Sequence, residues 1–259
     1  GLGVSSPQEI LQQKGCLVTN NGKTHPTYAG ILLFGKAPQQ FVRSGEITAV
    51  RFAGTTMGDT FTRQDISGTL PDQIRRAETF LVDHLRKDVE LRMSMARTEQ
   101  YEYPMEAARE IVVNAVAHRD YSIRGDGIRL FLFQDHMEVT SPGKLPGPVT
   151  IDNIKDERFS RNPVIVQVLS DMGFIERLGY GVDRVIELMN QQAMRAPTFE
   201  ETGGGFKVVL YNQALKGQEA APQSDETPDN DLTAMRELMR DYPDTPINPR
   251  QEQALKHLC

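Results

Sequence analysis

Apolar residues fall into helical register most clearly at Ile74, Ala77, Phe80, Leu81 and Leu85, with Arg75, Arg76, Asp83 and Arg86 facing elsewhere. Thr69-Leu70-Pro71 opens that helix, and a second, richer in Ala and Val, is predicted from Glu106 to His118 after Pro104. Gly127 to Phe133 and Met137 to Thr140 alternate around Gln134-Asp135-His136, which predicts a β-hairpin. Asn162 to Met172 reads as a helix with Asn162 as N-cap, Pro163 in the first turn and Gly173 as its end. A further helix follows Gly179-Tyr180-Gly181, running from Val182 to about Gln192, and Gly203-Gly204-Gly205 leads into a strand from Phe206 to Tyr211. Towards the N-terminus, Ser6-Pro7 caps a short helix, Asn20-Asn21-Gly22 marks a turn, Tyr28 to Phe34 is an apolar stretch stopped by Gly35, and Ile47 to Phe52 is a strand. Strands and helices thus interleave around a hairpin. The expected fold class is an α/β sandwich with a mixed sheet and helices mainly on one face.

The pattern breaks after Asn212. From there to Asn230, Gln, Glu, Asp, Pro and Ser dominate, as in a flexible linker. Helical patterning returns from Leu232 to Met239, and Asn248-Pro249-Arg250-Gln251 opens another helix. The expected divisions are a connecting segment at 1–68, the main domain at 69–212, a linker at 213–231, and the start of a winged-helix domain at 232–259. Gly1 stands where Met would begin a chain, and Leu258-Cys259 falls inside a helical pattern, so both ends read as cut. Without a readout helix, these residues alone are expected to bind DNA feebly.

Composition narrows the class. Hydrophobic residues make up 39% and charged residues 25% of 259, ordinary for a globular protein, and the net charge of −6 argues against a global nucleic-acid-binding field. Cys16 and Cys259 cannot build a disulfide framework, so a reducing, cytoplasmic setting is expected. The longest apolar run, Ala29 to Phe34, is far short of the ~18 residues of a membrane span, so no membrane association is expected. His25, His84, His136 and His257 lack metal-ligand spacing. Gly22-Lys23-Thr24 resembles the end of a phosphate-binding loop, but Leu17 stands where that loop needs glycine and His25-Pro26 follows, so no motor core is read here.

Candidate chemistry concentrates in the second helix. Glu110, Asn114 and His118 are spaced by four and share one face, while Ile111, Val112, Val113 and Val116 make the helix largely buried. A carboxylate, an amide and an imidazole buried together need partners or a ligand. One reading has Arg109, Arg119 or backbone groups satisfying them. The other has them meeting Mg²⁺ and substrate phosphates, with a carboxylate acting as general base. The Gly143 loop at a strand end and Gly179-Tyr180-Gly181 before a helix would suit phosphate, although a plain connection explains the latter equally.

The order of these features resembles the GHKL (Bergerat) nucleotide-binding layout of histidine kinases, MutL and gyrase B. It is most similar to the RecG-like C-terminal domain linked to Schlafen/AlbA-type DNA-binding domains in bacterial transcriptional regulators. The blocks that carry the resemblance are PTYAGILLFG, EAAREIVVNAVAHRDYS, MEVTSPGKLP, FSRNPVIVQVL and GFIERLGYGVDRV, spread from Pro26 to Leu210. It implies Glu110 as catalytic base, Asn114 as Mg²⁺ ligand, and Gly179 and Gly181 as phosphate-facing glycines. His118, Arg119, Ser141 and Gly143 complete the expected nucleotide-binding set. ATP and Mg²⁺ are the implied cofactors, DNA the partner through domains outside or at the end of these residues, and a homo-oligomer the implied assembly. The family's Asp-x-Gly-x-Gly is replaced by Ser141-Pro142-Gly143-Lys144-Leu145, which offers a neutral acceptor where a carboxylate is usual. Two functions remain open: a nucleotide-responsive regulatory module with slow ATP hydrolysis, and a degenerate scaffold serving dimerisation or protein contact.

Overall fold

The computed structural model describes residues 6–90, 98–175 and 181–212. The expected linker, the winged-helix start and Gly179 lie outside the described residues. The chain opens with α1 (Pro7–Gln13), closed by a capping box in which the Ser6 hydroxyl accepts from the Glu9 amide at 3.2 Å and Glu9 accepts from the Ser6 amide at 2.7 Å. Strands β1 (Leu17–Asn20) and β2 (Lys23–Pro26) form a hairpin whose two turn residues, Asn21 and Gly22, both take positive φ, 49° and 72°. That geometry matches strand twist and explains the Asn-Gly pair. The apolar stretch Tyr28–Phe34 is a helix, α2, because the Thr27 hydroxyl accepts the Gly30 amide and so starts a helical turn.

The main sheet is assembled from β3 (Ile47–Phe52), β4 (Phe61–Ile66), β7 (Ile128–Leu132), β8 (His136–Pro142), β9 (Thr198–Glu201) and β10 (Gly205–Tyr211). Its six strands run in the order β4-β3-β7-β8-β10-β9, with β3 and β7 parallel and every other neighbouring pair antiparallel. The sheet is therefore mixed. Strands β4 and β9 carry no clean alternation and were not expected. Strands β3 and β4 belong to the same sheet as β7 to β10, so residue 68 is not a packing boundary and the segment before it completes the sandwich.

Helices α3 (Leu70–His84) and α4 (Met105–His118) supply most of the helical core, and between them lies a two-stranded pair, β5 (Lys87–Glu90) with β6 (Thr98–Tyr101). Ile74, Phe80 and Leu81 of α3 meet Ile47, Ala49, Ile128 and Leu130 of one sheet face, all 2% exposed or less. The opposite face carries only a small cluster of Val50, Phe52, Phe131 and Phe133. Helices α5 (Pro163–Asp171) and α6 (Gly181–Gln191) finish the layer. Gly173 at φ +79° ends α5 as expected, and Asn162 holds the N-cap position, but its side chain makes no capping hydrogen bond. The Asn162 side-chain amide instead donates to the Ala117 and Arg119 carbonyls at 3.0 and 2.8 Å, closing the C-terminal end of α4.

Candidate functional site

Helix α4 builds the site's floor. Its Ala and Val positions are buried against the sheet, which turns the Glu110, Asn114 and His118 face towards α5, α6 and the loop after β8. The Asn114 side-chain amide donates to Glu110 Oε1 at 3.2 Å. This bond fixes the carboxylate and leaves Asn114 Oδ1 as the amide's remaining polar atom, a hard oxygen of the kind divalent cations prefer. Gly181, the first residue of α6, lies over the pair: a Cβ there would collide with Glu110 Oε1 and stand 2.8 Å from Asn114 Nδ2. The positive end of α6 is thereby presented to the Glu110 carboxylate.

At the other end of that face, the polar groups are consumed one by one. Ser141 donates its hydroxyl to the Ala115 carbonyl at 2.9 Å, Tyr121 donates to the Val116 carbonyl at 2.8 Å, and Asn162 takes Ala117 and Arg119. Asp120 pairs with Arg161 at 2.8 Å, and Arg161 also donates to the Lys144 carbonyl at 2.6 Å. A hydrogen bond from the Ser122 hydroxyl, with smaller help from Arg161, holds the Asp120 carboxyl below its ordinary range. Gly143 sits inside this clamp at φ +101°, where a Cβ would meet Asp120 Cβ at 2.5 Å. Only glycine fits that turn and that approach.

Between these ends is a cleft of about 360 Å³, a size typical of small-molecule sites. Glu110, Asn114, His118, Ser141, Gly143 and Gly181 all line it, so the fold brings together six of the expected site residues. Ile111, Ala115, Val139 and Val208 make its middle apolar, and Lys144, Arg158 and Arg184 stand at its rim. Arg158 reaches Asp183 at 3.5 Å and Arg184 reaches Glu106 at 2.8 Å. Burial, and secondarily the Arg161 charge, hold the His118 imidazole below its ordinary pKa, hence neutral at pH 7.

Arg119 is not part of the cleft. It is fully buried, stacks on Tyr121 at 4.9 Å, and donates to Ser44 Oγ and the Ile123 and Asp126 carbonyls at 3.0, 3.0 and 2.7 Å. Its place beside His118 in sequence is misleading because α4 ends there and the chain turns away. The Asp120–Arg161 clamp was missed, although both residues lie in blocks already singled out. Only the fold sets them opposite each other. Among the described residues no three His, Cys, Asp or Glu side chains group to hold a metal. A Mg²⁺ ion fits at Glu110 and Asn114 only if ligand oxygens complete its shell, which is its habit with phosphates.

A mixed α/β sandwich with a polar-ended cleft between its helices and its sheet defines the class. Residues 125–210 match the family described as "Putative ATP-dependent DNA helicase recG C-terminal", in agreement with the RecG-like part of the resemblance drawn from sequence. The fold is similar to the crystal structure of the DIP2311 protein from Corynebacterium diphtheriae, with a TM-score of 0.65 and 25% identity over 80% of this chain. The chain spans 41% of that protein's chain. No curated protein matches the sequence. No described helix is long and apolar enough to cross a membrane.

Proposed function

We propose that the cleft binds a nucleoside triphosphate with Mg²⁺ and that the domain is a GHKL-type, nucleotide-responsive regulatory module of a bacterial DNA-binding protein, with slow ATP hydrolysis. DNA would be held by segments outside the described residues, and homo-oligomers would form through the longer protein in a cytoplasmic setting. One observation carries this reading: Glu110 and His118 lie eight residues apart on α4, about 12 Å at ~1.5 Å per residue, with Asn114 midway and the apolar Ile111 and Ala115 beside them in the cleft. That spacing suits a ligand with phosphates at one end and a flat ring at the other.

The residues divide the work accordingly. Glu110, oriented by Asn114, would accept the proton of an attacking water. Asn114 Oδ1 would help hold Mg²⁺, which when bound neutralises phosphate charge. The first amides of α6, freed of side-chain bulk by Gly181, would face the phosphates, and Lys144 would add charge from the rim. Ser141, its proton already given to Ala115, would offer lone pairs to the base. A scaffold without nucleotide is favoured by a different observation. Gly181 covers the Glu110–Asn114 pair closely, and Ser141 is a neutral acceptor already bonded to the helix.

Calorimetry of the full-length protein with ATP and Mg²⁺ separates the two. Saturable binding, with a DNA affinity that changes when ATP is added, is expected. No heat at millimolar nucleotide would establish the scaffold reading.

A further inference from the structure

Among the described residues, the polar side chains around the C-terminal end of α4 each have a structural task except one. Ser141 takes the Ala115 carbonyl, Tyr121 takes Val116, Asn162 takes Ala117 and Arg119, and Asp120 takes Arg161. His118 lies in their midst, part-buried and lining the cleft, and makes no hydrogen bond to any described residue. Its ring nitrogens are not among the buried unpartnered atoms, so they open to the cleft, where a neutral imidazole offers one N–H donor and one acceptor. The helix does not need it, for its end carbonyls are already satisfied. A ligand would use it.

We infer that His118 and Ser141 together form the base-reading end of the cleft, His118 bonding directly to the ring of a bound purine nucleotide. This rests on the nucleotide reading above. Ser141 offers only lone pairs, because its proton is committed to Ala115, so it meets a donor on the ring edge. His118, adjacent on the cleft wall, supplies the complementary donor to a neighbouring ring acceptor. The two polar ends then have separate duties. Asn114 and Glu110 serve the phosphates, and His118 serves the ring without touching them. Burial and Arg161 support this by holding the imidazole neutral, the form able both to donate and to accept.

The test compares Mg·ATP with Mg·tripolyphosphate, which lacks a ring, on the full-length protein. His118→Leu is expected to weaken ATP binding about ten- to hundredfold, the cost of one hydrogen bond lost in a water-poor site, while tripolyphosphate affinity stays unchanged. His118→Asn, which keeps a donor and an acceptor, should recover part of the loss, and Asn114→Ala should weaken both ligands. In wild-type protein the His118 ring resonances should shift with ATP and not with tripolyphosphate. That measurement decides the matter even if His118→Leu fails to fold. Unchanged ATP affinity in a folded His118→Leu, or equal losses for both ligands, would overturn the assignment of His118 alone. A wild-type protein that binds neither ligand would instead overturn the nucleotide reading and this inference with it.

Discussion

Gly181 rests on Glu110 so closely that the first residue of α6 has no room for a Cβ beside the carboxylate oxygen. The contact joins the helix start to the carboxylate–amide pair of Glu110 and Asn114 on the cleft floor. Gly181→Ala must therefore push α6 away or turn Glu110 out of its bond with Asn114. Over-packing of this kind costs about 1–3 kcal/mol. Denaturant unfolding should register that loss, and Mg·ATP binding should fall more than stability does. Wild-type affinity in the variant would show that Gly181 only fills space.

Glu110→Gln keeps the shape of the side chain and can still meet Asn114, but it cannot take a proton. ATP binding is expected to remain within a few-fold of wild type while turnover disappears. Phosphate-release assays beside calorimetry measure both. Undiminished turnover would remove Glu110 from the role of base.

The Gly143 loop offers a separate test. At φ +101°, and with Asp120 Cβ in its path, alanine at this position should cost at least about 2 kcal/mol, since left-handed backbone strain and overlap add. Arg161→Ala should act more mildly on stability, because Asp120 is partly exposed and keeps Ser122. It should nevertheless loosen the loop and weaken ligand binding. Thermal melts alongside ligand titrations of both variants check the difference.

His118 makes acid sensitivity predictable in sign. Its folded pKa lies below the ordinary value near 6.5, first through burial and then through Arg161. Above that ordinary value neither state binds the proton and the group has no effect. As pH falls below it, the unfolded chain takes up a proton that the folded chain resists, so stability declines until the depressed folded pKa is passed. Urea midpoints measured from pH 7.5 down to 5 should fall more steeply for wild type than for His118→Asn. Parallel profiles would mean that His118 titrates freely in the fold.

The Glu102 side chain is 3% exposed and accepts from the Arg86 amide, Arg86 Nε and Asn212 Nδ2 at 3.0, 2.9 and 3.0 Å, with Arg51 at 3.7 Å. It ties the segment before α4 to the end of β10. Glu102→Ala should cost roughly 3 kcal/mol, because removing one partner strands the others. Hydrogen exchange should also show faster opening at Asn212 than in the α3 core. A loss below ~0.5 kcal/mol would place the network among surface pairs of little worth.

Helices α3 and α4, the β7–β8 hairpin and the strand β10 were legible because local period and burial agree: one buried face recurs at 3.6 or at 2. The same regularity placed Glu110, Asn114 and His118 on one stripe, since spacing by four is enough for that. Turn chemistry marked the turn at Asn21-Gly22 and the end of α5 at Gly173, but not the strands that make the former a hairpin. What sequence could not supply were relations between distant segments. Strands β4 and β9, mostly exposed at the edges, show little pattern because β4 buries only Ile66 and β9 buries no residue. Asn162 has the chemistry of a cap, yet tertiary packing put the α4 carbonyls nearer than its own helix amides. Arg119 looked like a ligand-binding cation until burial drew its guanidinium into four backbone and hydroxyl contacts. Ile47 to Phe52 was legible as a strand inside a segment read as a connection, and only its parallel pairing with β7 made it part of the main sheet. Local periodicity determined which residues could form the site. Long-range pairing, which no short window of sequence records, decided which of them face the cleft.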